Sequence, residues 1–505
     1  MGSSRSVVLI SLINTTDNLG LKYIHASLLS AGYDSQILFH TSEDDSYFSK
    51  VADFVRERCP SMVGISLMSR LFHTAAGLSR EIRRQCKDNV PIIWGGIHPT
   101  IDPESCRDHA DYLCVGDGEN SLIEFLDKFD GKGRTPEVQG IVSCQMQSRV
   151  SSSKIEDLDS LALPEFLPSH SWITDAGRIV RLDTSLLKKH TRHQATYLTV
   201  TTSRGCPFAC TYCCNNVLQK IYGKKIRKRS HENVIAEIEQ NLAHTAVKFN
   251  YLSVYDDCFT AHSTEWLEAF VKCYRKIKIP LVFRAIPQFV TKEKISILKD
   301  APCGYVLIGL QSGSDRTLAN VYKRKHSKQV FFQCAKLLHQ NSIPAVYDII
   351  VDNPYETVED IEQTVQTVAQ LPKTSYVSLA SLTFYKYTEL YDRAKADGYP
   401  VNDHLTKNQD AWTKSSKEVQ AIKFAALLNK KIALKILHNG TGTKKIALIS
   451  LQIVFLKLFE PFRYLKLMYL SHGKRNLAFV RLLVPHARDY GKRYLSLSGT
   501  NKHEH

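Results

Sequence analysis

Cys206, Cys210 and Cys213 follow the pattern C-x3-C-x2-C within Ser203-Arg204-Gly205-Cys206-Pro207-Phe208-Ala209-Cys210-Thr211-Tyr212-Cys213-Cys214. Three soft thiolates in one short loop suit zinc or an iron-sulfur cluster. Ligand count separates the two, because structural zinc takes four ligands and no second CxxC or close Cys/His pair supplies the remainder. Three cysteines on a cubane of four irons leave one iron open to a substrate or cofactor. Cys214 adjoins Cys213, and ligation by both neighbours is strained, so Cys214 reads as a packing residue behind the ligands. Thirteen cysteines in 505 residues are too dilute for a disulfide scaffold. One tight group of them in a reducing compartment reads as metal binding.

The elements that must position this loop are legible on both sides of it. A strand pattern at Tyr197 to Thr202 leads directly into the loop, and further strand patterns follow at Tyr251 to Tyr255, Leu281 to Ile286, Tyr305 to Leu310, Ala345 to Val351 and Tyr376 to Leu382. Helical patterns separate them, and six strand-helix units predict a partial (β/α)6 barrel over 194–413, with functional groups at the strand C-terminal ends. Residues 1–145 alternate strands (Ser6 to Ile13, Ser35 to Phe39, Met62 to Leu67, Val90 to Trp94, Tyr112 to Val115) with helices, the order of a doubly wound, Rossmann-like α/β domain. Most of these strands end in small or turn residues, among them Asn18 and Gly20, Ser66, Gly95 and Gly96, and Gly116, Gly118 and Glu119. In such sheets ligands bind outside the strand C-terminal ends, so these loops form one rim. Residues 146–193 are Ser-rich and turn-rich, and read as a linker that still packs.

The hydrophobic fraction is 43% and the charged fraction 23%, a folded globular composition. A mean hydropathy of -0.21 excludes a polytopic membrane protein. The formal net charge is +16, but from Gln420 onward sixteen Lys and Arg face only three acids, Glu460, Asp489 and Glu504, so nearly all the excess lies in residues 414–505. A main body close to neutral argues against a nucleic-acid partner. That basic region has mainly helical propensity. Its apolar run Ile446 to Phe459 is too short to span a bilayer, which takes about 20 apolar residues. The run is either the core of a small helical domain or an amphipathic surface helix giving peripheral membrane contact. The start of the sequence shows no signal-peptide pattern, so a cytoplasmic location is expected.

The cysteine spacing, with the aromatic Tyr212 before the last cysteine, closely resembles the signature of the radical S-adenosylmethionine (SAM) superfamily. The resemblance implies a [4Fe-4S] cluster on Cys206, Cys210 and Cys213 whose open iron chelates SAM, with Tyr212 near the adenine. Arg227-Lys228-Arg229-Ser230, Tyr255-Asp256-Asp257-Cys258-Phe259 and Ile308-Gly309-Leu310-Gln311-Ser312-Gly313-Ser314 look like further segments of that family, in the right order. Gly309 to Gly313 and Ser312 are then expected close to SAM, and Asp256 is expected to hold its amino group. The alternative for the Asp pair is a helix N-cap. Gln311 stands where relatives usually carry Glu. The N-terminal segment resembles the cobalamin (B12)-binding domain fused to many of these enzymes, through Asn18-Leu19-Gly20, Val63-Gly64-Ile65-Ser66, Gly95-Gly96-Ile97-His98-Pro99 and Gly116-Asp117-Gly118-Glu119. The D-x-H-x-x-G histidine motif of other cobalamin proteins is absent. His98 is a candidate substitute ligand, with shaping of its loop as the favoured reading.

Together the resemblances span roughly Val7 to Leu390. They imply an enzyme that generates a 5'-deoxyadenosyl radical and transfers methyl from methylcobalamin to an unactivated carbon, a C-methyltransferase. The cofactors carry the chemistry and the protein positions them. A cobalamin-dependent radical SAM oxidoreductase or cyclase without methyl transfer is the alternative, and a nucleic-acid-binding sensor is a distant third. The expected partners are a small-molecule or lipid substrate and an external one-electron reductant of the flavodoxin or ferredoxin type.

Overall fold

Ser6–Ser11 is buried along its whole length, as an aliphatic run must be when helices cover both faces of a parallel sheet. This strand, β1, lies inside an eight-stranded sheet with β2 (Asp34–Phe39), β3 (Met62–Ser66), β4 (Ile92–Gly95), β5 (Tyr112–Cys114), β6 (Ile141–Ser143), β7 (Ser171–Asp175) and β8 (Arg178–Arg181). The order is β6-β5-β4-β3-β1-β2-β7-β8, with β6 and β8 antiparallel at the two edges. Within it β5-β4-β3-β1-β2 is the doubly wound order whose winding reverses between β1 and β3, the place where such sheets bind ligands. The computed structural model describes residues 5–427 apart from 14, 41–44, 88, 130–135, 146–149, 191–196, 246, 373–375, 402–415, and, beyond these, residue 434. The apolar run Ile446 to Phe459 and nearly all of the basic region therefore lie outside the described residues.

The five strands expected in residues 1–145 all form, and their ends shift by at most two residues. Strands β6 to β8 were not visible in the pattern. β6 is a three-residue edge strand, and β7 and the edge strand β8 are partly exposed and arise within the segment read as a linker. Edge strands need no continuous apolar run, so they leave a weak signal.

The described residues form two compact units, one lying within Met1–Arg192, Leu198–Lys248 and Phe384–Asp410, the other including Tyr197 and lying mainly within Phe249–Thr383. The first contains the eight-stranded sheet and the cysteine loop. The second contains β12 (Tyr251–Val254), β13 (Leu281–Ala285), β14 (Cys303–Gln311), β15 (Ala345–Val351) and β16 (Tyr376–Ser381), while β9 (Tyr197–Val200), apart from Tyr197, and the two-stranded ribbon β10 (Ser203–Arg204) and β11 (Arg227–Lys228) belong to the first. The strand order β16-β15-β14-β13-β12-β9 is sequential, and β12 to β16 pair in parallel, as a partial barrel requires. Burial alternates along β14 and β15, so each strand has a fully covered face and a partly open one. The covered face packs Phe283 on Phe259, and Tyr347 on Phe331 of the Lys328–Gln340 helix. No helix among the described residues is long and apolar enough to cross a membrane.

Candidate functional site

In the first unit the cysteine loop is held at both ends by backbone bonds. Ser203 and Arg204 pair antiparallel with Lys228 and Arg227, and Gly205 then turns the chain at φ +105°, a conformation that favours glycine. Gln219 donates to the Cys206 carbonyl at 2.7 Å, Asn216 to the Ala209 carbonyl at 3.3 Å, and Cys213 N–H to the Cys210 carbonyl at 3.0 Å. The Leu390 N–H closes on the Thr211 carbonyl at 2.9 Å. Cys210 is buried, whereas Cys206, Tyr212, Cys213 and Cys214 are half-buried. Cys214 occupies the cap position of the Asn215–Tyr222 helix. No group of three or more His, Cys, Asp or Glu among the described residues converges as a single-ion site. The donor set, three thiols on one loop, fits a cluster in which each thiolate serves its own iron.

Behind the loop lies a charge network that spacing did not reveal. Arg204 donates to Asp117 at 3.0 Å and to Glu119 at 2.6 Å, and Arg227 binds the other oxygen of Asp117 and the Ile155 carbonyl. Two cations thus meet two buried carboxylates, so the charges cancel. Next to them Arg229 and Glu237, each 1% exposed, form an ion pair, and the Tyr23 hydroxyl donates to Glu237 at 3.0 Å. Burial pushes the Glu237 carboxyl up, and the Arg229 charge opposes that rise. Glu119, expected at a cofactor, instead has its carboxylate on Arg204, immediately upstream of the cluster cysteines. Arg227-Lys228-Arg229-Ser230 and Gly116-Asp117-Gly118-Glu119 were both visible in the sequence, but pairing across 85 to 110 residues, as between Arg204 or Arg227 and Asp117 or Glu119, cannot be read there.

The rim of the first sheet is contiguous. The Asn18 side chain caps the Leu19–Ser30 helix through Leu21 N–H and donates to Ser11 and Ser66, which ties the loops after β1 and β3 at the point of reversal. A Cβ at Gly20 would meet nothing within 4 Å, so its bare backbone faces open space there. Leu67 N–H donates to the Gly95 carbonyl at 3.0 Å. Gly96 lies at φ +97°, and a Cβ on it would come within 2.9 Å of the Leu67 carbonyl. His98 is buried with both ring nitrogens engaged, by Ser69 at 3.0 Å and Ser105 at 3.2 Å, in keeping with a loop-shaping histidine. The Gly116 N–H donates to Thr100, and Gly118 precedes the Glu119–Lys128 helix. Asp102, beside this rim, accepts from Lys386 and Tyr387, each at 2.9 Å. At the reversal the bare backbone of Gly20 is open to approach by a ligand, whereas Gly95, Gly96, Gly116 and Gly118 pack against Cys114, Leu67, Ser153 and Ile24.

In the second unit the segment after β14 is tightly built. Ser312 is fully buried and donates to Glu356 at 2.6 Å, and Gly313 N–H donates to Thr364 at 2.8 Å. A Cβ on Gly313 would lie 2.5 Å from Thr364 Cα, so this glycine lets the Val358–Ala369 helix approach. Gln311 is at φ +67° and its amide folds over Gly309, where a Cβ would sit 2.4 Å from it. Asp256 is buried, 3.8 Å from buried His262. The short Phe259–Ala261 helix that follows the Asp pair starts at Cys258 without a side-chain cap bond, and Ser263 caps the Thr264–Tyr274 helix.

Burial pushes the Glu356 carboxyl up to about 7, the Ser312 hydroxyl opposes this and Asp360 adds to it. A carboxyl raised above its unfolded value near 4.5 stabilises the fold while protonated. That contribution is complete below about 4.5 and is lost as pH rises through about 7. Between pH 5 and 8 the native chain should lose roughly 2–3 kcal/mol more denaturation free energy than Glu356→Gln. Urea midpoints at the two pH values check this, and parallel curves for the two proteins would refute it.

Residues 200–368 match the family model of the radical SAM superfamily, and residues 5–126 match that of the B12 binding domain. The chain belongs to the radical SAM enzymes that carry a B12-binding domain. It is 25% identical over 406 residues to an uncharacterized methyltransferase of Pyrococcus horikoshii, covering 78% of this chain and 81% of that one. It is 24% identical to the anaerobic magnesium-protoporphyrin IX monomethyl ester cyclase of Synechocystis sp., over 74% of this chain and 72% of the cyclase. The fold matches that of the radical S-adenosylmethionine methyltransferase TsrM from Kitasatospora setae, with TM-score 0.64 and 18% identity over 78% and 76% of the two chains. As a member of this family it is an enzyme whose cofactors are SAM, a [4Fe-4S] cluster and cobalamin.

Proposed function

We propose that this B12-binding radical SAM enzyme is a C-methyltransferase acting at an unactivated carbon of a small-molecule or lipid substrate. The observation that carries the reading is a single compact unit that holds both the three-cysteine loop and the glycine-lined rim, bridged by Arg204 to Asp117 and Glu119. Bound cluster, SAM and cobalamin supply radical formation and methyl transfer.

The residues divide the remaining work. Cys206, Cys210 and Cys213 hold the cluster, and the bonds from Gln219 and Leu390 fix the loop so that the thiols need not reorganise. Tyr212 lies beside the adenine. Asp256 takes the amino group of SAM, and Gln311, Ser312 and Gly313 shape the ribose side. Asn18, Gly20, Ser66, Gly95, Gly96, Gly116 and Gly118 form the cobalamin rim, with Glu119 acting through Arg204. Since both nitrogens of His98 are engaged, cobalamin is held without a histidine from this loop. An external one-electron reductant of the flavodoxin or ferredoxin type supplies electrons. The similarity to a cyclase sustains a second reading, cobalamin-dependent radical oxidation or cyclisation without methyl transfer.

The test is anaerobic reconstitution with iron, sulfide and hydroxocobalamin, followed by reductant and methyl-labelled SAM. Label on the bound cobalamin together with 5'-deoxyadenosine supports the methyltransferase. Deoxyadenosine without label on cobalamin favours the second reading, and a folded chain that retains neither cofactor refutes both.

A further inference from the structure

The partly open face of β12 to β16 is layered. Tyr197, Tyr251 and Val282 form a small cluster with Tyr305 and Leu307. Toward the strand C-terminal ends the same face turns polar, with Arg284 on β13 level with Leu307, and Gln311 on β14, Asp348 on β15 and Ser378 on β16 beyond it. Register places Gly309, Asp348 and Ser378 side by side. Gly309 has no side chain, and the Gln311 amide fills that place from a backbone held at positive φ.

Arg284 stands out in this layer. Its guanidinium carbon lies 4.3 Å from the ring centroid of Tyr255, which fixes the direction of the fork. The Tyr255 ring is 53% exposed. Among the described residues no hydrogen bond or ion pair occupies the five N–H donors of Arg284, although the residue is only half-exposed. Asp348 feels its charge across the sheet without forming an ion pair with it, and burial pushes the Asp348 carboxyl up while Ser378 and Arg284 oppose the rise. A half-buried, ring-stacked guanidinium with no acceptor is matched by a planar oxyanion that takes two parallel N–H bonds.

We propose that Arg284 is a carboxylate-binding residue on this face, with Tyr255 holding its plane and Asp348 balancing its charge. Two molecules can bring that carboxylate, SAM through its methionyl end or the organic substrate. The second source rests on the functional reading above, the first only on the family. Binding is therefore measured without turnover, which separates failure of this assignment from failure of that reading.

Full-length chain, reconstituted anaerobically, is compared with Arg284→Gln and Arg284→Lys by equilibrium dialysis with SAM and with 5'-methylthioadenosine, which lacks the carboxylate. Saturation-transfer NMR with benzoate, and with benzamide as the neutral control, gives the second arm. Loss of SAM affinity by about tenfold or more in Arg284→Gln, with 5'-methylthioadenosine unchanged and Arg284→Lys intermediate, assigns the SAM carboxylate. Unchanged SAM binding with loss of a benzoate signal that benzamide never gave assigns the substrate carboxylate. The proposal is overturned if Arg284→Gln binds SAM, 5'-methylthioadenosine and benzoate like the native chain, or if SAM and 5'-methylthioadenosine weaken equally. Should Arg284→Gln not fold, Arg284→Lys is read by the same criteria, because it keeps the charge and loses the two-pronged geometry.

Discussion

Cys210→Ala should fold and lose the cluster, with SAM cleavage down by about a hundredfold or more. Groups that merely orient metal ligands are worth ~10–100-fold, so removal of a ligand exceeds that range. Cys210 is the buried member of the three, and its carbonyl accepts the Cys213 N–H, a backbone bond that alanine preserves. The fold should therefore survive while iron is lost. Cys214→Ala is the matched control, because Cys214 sits at the start of the Asn215–Tyr222 helix without capping it through its side chain. Iron and sulfide content, circular dichroism and 5'-deoxyadenosine yield are read on all three proteins. Equal iron loss in Cys214→Ala would make Cys214 a ligand, and full iron retention in Cys210→Ala would remove Cys210 from the set.

Arg204→Ala is expected to cost the full chain about 3–5 kcal/mol, the usual penalty for leaving a buried charge without its partner. Asp117 keeps Arg227, but Glu119, with its side chain 4% exposed, loses the only cation that an ion pair gives it among the described residues. Combining Arg204→Met with Glu119→Gln removes both charges and should recover much of the loss, because a neutral buried pair carries no uncompensated ion. Denaturation midpoints measure the difference. Because Arg204 stands two residues before Cys206, the single variant should also retain less iron than the double one. A loss below about 1 kcal/mol in the single variant would mean that water reaches Glu119 and that the network is a surface feature.

The two variants differ in how their residues could be found. Cys206, Cys210 and Cys213 lie within eight residues, so their spacing is local and legible without a fold. The same holds for the strands, whose aliphatic runs must be continuous when helices cover both sheet faces, and whose observed ends differ little from the pattern. Strands β6 to β8 escaped because β6 has only three residues and β7 and β8 are partly exposed and interrupted by polar residues.

For the other predicted site residues, chain position could not say what they touch. Asn18 proves to be a helix cap that ties two loops, His98 a doubly bonded buried imidazole, Glu119 a partner of Arg204, and Gly313 a point of helix approach. The three-cysteine spacing and the two α/β architectures are legible without a fold, because thiolate spacing and hydrophobic periodicity act over a few residues. That Arg204 and Arg227 meet Asp117 and Glu119 beside the cysteine loop, and that Arg284 has no acceptor among the described residues, is set by the tertiary fold. Charge pairing depends on distances in space between residues far apart in the chain, and no local pattern encodes them.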